Sequence, residues 1–479
     1  MSESSRRPGD RIIRRRLQST QVITIPEPVP IGSGPNTLFH ARLFIAAFAA
    51  IILLGTAILA LPWVTNADES TSLPDALFIA TSAASVTGLV TVDTLDHWNW
   101  AGQLVILVLI QSGGLGFMVG ASLVLRVIGR GGGQRVRDAI MIQDNIPTLT
   151  LREAVDVSRR IVKFTIVAET AGAVLLAGYF AREMPLLTAI WHGIFHSVSA
   201  FCNAGFDLQG GFQSMTPYRE SIWVNAIFMT LVLAGGLSYI VLADISYKRR
   251  WSTLSVNSKI ILVSSLLLTL IGAVTFLAAE WNESMASSAV WSRPLQALFQ
   301  SISGRTAGFQ TVDFSDVNSF TLFIYLALMF VGGASGSTAG GVKLATVAVV
   351  AVTVMSTLRG QEEPEVFKRR IPVLLVHRAM AVIVLFFLLH FLVTFSLAVT
   401  ETFYGENPAF LRILFESMSA VVTNGLGNGI TPILSTPGKI IICIAMFLGR
   451  IGPLTLVYAL QRRQSYQPYR YPETSVHIG

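Results

Sequence analysis

Long apolar blocks alternate along this chain with shorter apolar stretches that end on glycine. The long blocks cover about residues 41–63, 102–127, 161–179, 221–245, 259–279, 320–355, 377–399 and 439–460. Most are close to or beyond the ~20 residues a helix needs to cross hydrocarbon. Inside each successive pair sits a shorter unit of recurring shape: a phenylalanine, a serine four residues on followed by a small residue, then a glycine. The four copies are Phe78…Ser82-Ala83…Gly88, Phe195…Ser199-Ala200…Gly205, Phe299…Ser303-Gly304…Gly308 and Phe415…Ser419-Ala420…Gly425. A proline precedes each one: Pro74, Pro185, Pro294 and Pro408. Proline is pre-organised for a first helical turn, where its missing N–H costs nothing. Each unit therefore predicts a short helix that stops at a glycine turn, too short to span a bilayer.

Backbone carbonyls at a turn inside a membrane lack helical partners, so they have to face water, protein or an ion. Glycine allows the backbone angles this requires without a Cβ penalty. Four such turns, each at the negative end of a helix, can replace the hydration shell of a dehydrated cation. The predicted fold is therefore an all-α integral membrane protein, with four span–pore-helix–span repeats around one pseudo-four-fold ion pore.

Composition changes this picture little and charge orients it. The 479 residues are 52% hydrophobic and 13% charged, unlike a soluble domain of this size. Most of the 35 Lys and Arg fall in the tails and between repeats, including Arg6, Arg7, Arg11, Arg14, Arg15 and Arg16 at the N-terminus. The positive-inside rule then places both termini and all linkers in the cytoplasm of a multi-pass protein of the cell membrane. Few basic residues fall on the pore side; Arg182, Arg219, Arg293, Arg305, Arg412 and Lys439 are read as loop residues there. Asp93, Asp207 and Asp313 lie near three of the turns, and as a group they predict a cation-attracting mouth. The division that follows is a basic tail 1–39, repeat one 40–130, a linker 131–160, repeat two 161–250 and repeat three 251–358. A linker 359–372, repeat four 373–460 and a tail 461–479 complete it. Cys202 and Cys443 are far apart in apolar stretches and read as packing residues. No early apolar run with a cleavage site marks a signal peptide.

Two features inside the apolar blocks carry chemistry. Gly332, Gly333, Ser335, Gly336, Ser337, Thr338, Gly340 and Gly341 interrupt the sixth block, and such a run cannot hold a good helix. It predicts a loop facing the pore below the glycine turns. Arg450 lies mid-span, where a bare guanidinium costs at least ~2.5 kcal/mol. It is therefore expected on the conduction path, bonded to carbonyls and hydroxyls of the 332–341 loop, and Lys343 is a weaker companion. Gly336–Lys343 is not a phosphate loop, because Val342 precedes the lysine and Leu344 follows it. Gly333-Ala334-Ser335-Gly336 also matches the short pattern of intramembrane serine proteases, with His377 or His390 as base, but that leaves the four-fold repeat unexplained.

The runs Ser199–Phe206, Gly304–Phe309, Gly332–Lys343 and Gly449–Leu456 resemble the Ktr/Trk potassium-uptake superfamily. The resemblance covers roughly residues 40–479 and is strongest to the Ktr-type membrane subunit, whose carboxyl terminus Tyr471-Pro472-Glu473…His477-Ile478-Gly479 is similar to. It implies one filter strand with one glycine per repeat: Val86-Thr87-Gly88, Asn203-Ala204-Gly205, Thr306-Ala307-Gly308 and Thr423-Asn424-Gly425. It implies that the 332–341 loop, with Lys343 and Arg450, gates the pore. It further implies potassium uptake without enzymatic activity or a bound cofactor, a homodimer, and a cytoplasmic ring of nucleotide-binding regulatory subunits. Sodium as an activator, and another monovalent cation as cargo, stay open. Leu89 after Gly88 and Leu426-Gly427-Asn428-Gly429 after Gly425 depart modestly from the family pattern.

Overall fold

The structure is a computed structural model and describes residues 35–66, 70–116, 151–361 and 363–452. The N-terminal tail through residue 34, the linker through residue 150, the far end of the second predicted span and the C-terminal tail lie outside the described residues. Helices dominate, and the one sheet among the described residues is a two-stranded hairpin, β1 (Glu365–Val366) with β2 (Arg369–Arg370).

Four short helices carry the repeated unit: α2 (Leu73–Ser85), α5 (Leu186–Cys202), α9 (Arg293–Thr306) and α13 (Phe410–Val422). Each is flanked by a helix before it and one after it. Those before are α1 (Pro35–Leu59), α4 (Leu151–Phe180), α8 (Val256–Glu280) and α12 (Val373–Tyr404). Those after are α3 (Trp100–Gly114), α6 (Ile222–Gly236), α10 (Ser319–Phe330) and α14 (Thr436–Ile451). Two more, α7 (Tyr239–Lys248) and α11 (Leu344–Leu358), continue past α6 and α10. Among the described residues, the stretches Ser158–Phe180, Val256–Glu280 and Val373–Tyr404 are long and apolar enough to cross a membrane, and α6 with α7 adds a fourth if counted as one bent span.

The packing runs in a cycle. Each short helix touches its own two flanking helices and the later flanking helix of the preceding unit: α2 with α14, α5 with α3, α9 with α6, and α13 with α10. The unit's phenylalanine is the anchor, since Phe78, Phe195, Phe299 and Phe415 are each at most 2% exposed. Burying one such ring contributes about 1.5–3 kcal/mol.

Three expectations need correction. The apolar block 221–245 is not one straight span, because α6 and α7 meet at 98°. The small residues Gly235-Gly236 and Ser238 permit that break, and Ser238 has φ +70°. Arg305 is not a loop residue: it lies in α9, 7% exposed, with Nη1 donating to Ser265 Oγ of α8 at 3.0 Å. Arg293, at the start of α9, is also buried, with its guanidinium on the carbonyls of Trp281, Ala286 and Ser288.

Candidate functional site: a ring of four glycine turns

Each short helix ends in a tight turn held by its own backbone. The N–H groups of Thr87, Ala204 and Asn424 return to the carbonyls of Ser82, Ser199 and Ser419, and that of Ala307 returns to Ser303. The residue at the cap is left-handed in three of the units: Val86 (φ +58°), Asn203 (φ +59°) and Thr423 (φ +51°). A left-handed conformation costs an L-residue roughly 1–2 kcal/mol, and a β-branched one such as Val86 or Thr423 adopts it rarely. The third unit is one residue shorter between phenylalanine and glycine, so α9 runs on through Thr306 and needs no left-handed cap.

The glycines that follow are all at positive φ: Gly88 (+97°), Gly205 (+73°), Gly308 (+78°) and Gly425 (+92°). They meet one another in order. A Cβ built on Gly88 would lie 2.9 Å from Gly205 Cα, and one on Gly205 would lie 3.2 Å from Gly308 Cα. One on Gly308 would lie 3.1 Å from Gly425 Cα, and one on Gly425 closes the ring at 3.1 Å from Gly88 Cα. The carbonyl before each glycine lies against the preceding glycine around the ring: Ala204 O against Gly88, Ala307 O against Gly205, Asn424 O against Gly308 and Thr87 O against Gly425. Both the positive φ and this close approach require glycine at these four positions.

The twelve residues predicted for the filter are thus brought together, and side chains tie them across units. With the Asn203 amide oriented as its neighbours require, it accepts from the Thr306 hydroxyl at 2.9 Å and donates to Ala200 and Val232 carbonyls. Asn424 Nδ2 donates to Gly304 O at 2.8 Å. Ser85 and Thr87 hydroxyls pair at 2.6 Å within the first turn.

The recurring serine has a role that its position in the motif did not reveal. Ser82 Oγ accepts from Gly88 N and Ser419 Oγ from Gly425 N, both at 3.1 Å. Ser199 Oγ and Ser303 Oγ instead donate to the carbonyls of Phe206 and Phe309, both at 2.6 Å. All four serines are buried, and their hydroxyls hold the backbone of the glycine turn to its own helix. The signal was in the sequence, as an invariant spacing, without its chemistry.

The loops beyond the turns are linked in the same cyclic order. Asp96 and Asp93 carboxylates accept from Gly211 N (2.9 Å) and Phe212 N (2.8 Å). Met215 N donates to Gln310 O at 2.8 Å, and Gln310 Nε2 to Gly427 O at 2.9 Å. Lys439 and Asp75 close the cycle with an ion pair at 2.7 Å. Asp93 and Asp313 therefore serve first as caps of local turns, each accepting backbone N–H groups. Asp207 is the more telling of the three. It is half-buried beside the second turn, and burial, reinforced by the charge of Asp93, pushes its carboxyl up to about 7.

The 332–341 segment is an irregular loop between α10 and α11, as its glycines predict. Its base is closed by Gly332 N to Val342 O (2.8 Å) and Val342 N to Phe330 O (3.3 Å). Ala334 N and Thr338 N reach Gly236 O and Gly235 O, the break after α6, at 2.9 and 3.3 Å. Thr338 Oγ1 donates to Phe201 O at 3.2 Å. Gly340 packs against the fourth turn, where a Cβ would collide with Thr423 Oγ1 and sit 2.6 Å from Val422 O. Ser335 and Gly336 form the exposed tip, with Ser337 half-buried behind them.

Arg450 reaches this loop. Its Nη1 donates to Thr338 O at 2.8 Å and its Nη2 to Gly113 O at the end of α3. Loop and guanidinium thus meet as expected, although the partners are carbonyls of both the loop and the first unit. Lys343 Nζ turns to Ala339 O at 2.6 Å, inside the same loop. Of the bases named for the protease alternative, His390 is engaged elsewhere: on α12 and buried, its Nδ1 lies 3.4 Å from Ser417 Oγ of α13 and 3.5 Å from Thr394 Oγ1.

Comparison with known proteins bears on the chain as a whole. A family model described as a cation transport protein, TrkH, matches residues 42–465. The potassium/sodium uptake protein NtpJ of Enterococcus hirae is 35% identical over 445 residues, covering 92% of this chain and 98% of that protein. The Ktr system potassium uptake protein B of Bacillus subtilis is 35% identical over 434 residues, covering 90% and 95%. Among solved structures, the crystal structure of the potassium transporter TrkH from Vibrio parahaemolyticus matches with a TM-score of 0.69 at 20% identity, over 88% of this chain and 85% of that one. That likeness establishes the shared fold.

Proposed function

The chain belongs to the TrkH family of cation transport proteins, a family of membrane ion transporters rather than enzymes, and on that premise we propose that it takes up potassium through the ring of four glycine turns. The observation that supports this most directly is the closed order of Gly88, Gly205, Gly308 and Gly425, each preceded by a carbonyl that faces its neighbour. Carbonyl dipoles gathered from four units replace the water around a dehydrated cation, and the four helix C-termini add negative potential at the same point. The filter of this reading is Val86–Gly88, Asn203–Gly205, Thr306–Gly308 and Thr423–Gly425, the core of a pseudo-four-fold pore.

The 332–341 loop, with Lys343 and Arg450, is the gate in this account. Gly340 beneath Thr423 places backbone under the filter, and Arg450 fixes that backbone while setting a positive charge beside the path. A cation leaving the filter meets both. The termini and linkers face the cytoplasm, where a second copy of this chain and a ring of nucleotide-binding subunits complete the system. The names of the Ktr system relatives support a multi-component assembly. A second reading, in which sodium is carried or acts as activator, is favoured by the potassium/sodium name of the relative at 35% identity. Rubidium and sodium flux into liposomes containing the purified chain separates the two. The proposal expects rubidium to enter and potassium to compete; sodium entry at an equal rate contradicts it.

A further inference from the structure

In three of the four units the residue that follows the phenylalanine bonds the backbone of the segment beyond the filter. In α5 this is His196, whose Nε2 accepts from Leu208 N at 3.1 Å. Its Nδ1 sits 2.8 Å from His192 O, so the ring is the neutral tautomer that donates from Nδ1 and accepts at Nε2. In α9 it is Gln300, whose oxygen, with the amide oriented as the donors require, accepts from Thr311 N at 2.7 Å and Val312 N at 2.9 Å. In α13 it is Glu416, which accepts from Asn428 N at 3.5 Å and from the Thr431 hydroxyl. Leu208, Thr311 and Asn428 are each the third residue past the filter glycine of their unit. In α2 the same position is Ile79, which has no acceptor to offer. All four side chains are at most 1% exposed.

The recurring serine lies three residues further along each helix, hence on the same face. Each helix after the first therefore grips its strand at two places: at the glycine turn through the serine, and three residues beyond the glycine through His196, Gln300 or Glu416. In α13 the glycine carbonyl lies between the two grips, whereas in α5 and α9 the serine holds the carbonyl one residue past the glycine, so the two grips there pin the segment leaving the turn.

We propose that His196, Gln300 and Glu416 are positioning residues for ion discrimination, each setting the height of its filter turn by accepting the backbone N–H three residues past the glycine, with the first turn at Ile79 lacking this grip. The inference rests on the filter reading above. It deepens that reading by assigning selectivity to three buried side chains outside the filter motif.

Two variants of one residue separate positioning from packing. Gln300→Met keeps the size and removes the acceptor, whereas Gln300→Glu keeps the acceptor. Rubidium/sodium flux ratios in liposomes, at equal incorporation, should fall about three- to tenfold for Gln300→Met, the scale of one hydrogen bond, and be retained by Gln300→Glu. His196→Leu against His196→Gln repeats the contrast in the second unit. An unchanged ratio in Gln300→Met, or an equal fall in Gln300→Glu, overturns the assignment. Wild-type protein provides a test that no variant's folding can spoil. Hydrogen exchange in detergent should find the amides of Leu208, Thr311 and Asn428 at least about tenfold slower than that of Thr91, the same position in the ungripped unit. Thr311 exchanging as fast as Thr91 overturns the proposal. A wild-type chain that does not distinguish rubidium from sodium defeats the filter reading instead, and exchange alone then decides whether the grips exist.

Discussion

Arg450 joins Thr338, within the 332–341 loop, to Gly113, at the end of the first unit's second helix. The guanidinium donates to two carbonyls that no other side chain bridges in this way among the described residues. Each unit carries a comparable pair at or near the end of its later flanking helix: Gly113-Gly114, Gly235-Gly236, Gly332-Gly333 and, in the fourth unit, Gly449-Arg450. The fourth unit thus has an arginine where each of the others has the second glycine of its pair.

Removing that side chain should loosen the loop. Arg450→Ala is expected to raise rubidium flux into liposomes severalfold, because both the fixed charge and the tether to Thr338 are lost. Deleting Gly333–Ala339 should act in the same direction. Slower flux than wild type in either variant, at equal incorporation, removes the loop from the role of barrier.

Gly340 tests the loop's seat without touching the charge. A methyl group there collides with Thr423 Oγ1 and crowds Val422 O. Gly340→Ala should therefore displace the loop from the fourth turn and increase flux, with a smaller gain than loop deletion. Flux below wild type in a well-folded variant means that Gly340 supports the filter instead.

The four glycines of the ring, read as the filter in the proposal, predict a different outcome. Gly308→Ser places a side chain at φ +78°, 2.7 Å from Asn424 O and 3.1 Å from Gly425 Cα. The left-handed cost of about 1–2 kcal/mol adds to that collision, so the ring must shift. The rubidium/sodium ratio is expected to fall roughly tenfold or more, an effect of at least ~1.4 kcal/mol. Gly88, Gly205 and Gly425 should behave alike. Unchanged selectivity in Gly308→Ser at equal abundance excludes it from the filter.

Asp207 gives the account a pH dependence. Its carboxyl is pushed up to about 7 by burial and by the charge of Asp93. It is neutral on the acid side of that value and negative on the alkaline side. A negative mouth attracts cations, so flux at limiting rubidium should rise from pH 6 to pH 8 and level off above. Asp207→Asn should flatten this rise. A wild-type profile that falls over the same interval contradicts the assignment.

Much of this architecture was legible because the repeated unit is local. Phenylalanine, serine and glycine at fixed spacing are set by one short helix and its turn, so position in the sequence maps directly onto position in the fold. Arg450 was legible too, since a charge inside an apolar block has to find carbonyls. The cyclic packing was not, because contacts such as α2 with α14 join residues at opposite ends of the chain. The break after α6 was hidden for another reason: Gly235-Gly236 in an apolar helix looks like a packing face, and only the neighbouring backbone at Phe201 and Thr338 reveals why the helix ends there. Arg305 was misplaced because a basic residue beside a glycine turn reads as a loop residue, while its actual partner, Ser265, lies forty residues earlier.

Ion-replacement uptake in cells that lack their own potassium transport is the most direct test of the central claim. Cells expressing this chain together with the regulatory subunits proposed for it should regain growth at low external potassium, and their rubidium uptake should be displaced by potassium far more effectively than by sodium. Uptake that sodium displaces as well as potassium does, or growth that stays unrestored with the chain present in the membrane, would contradict a potassium filter built from these four turns.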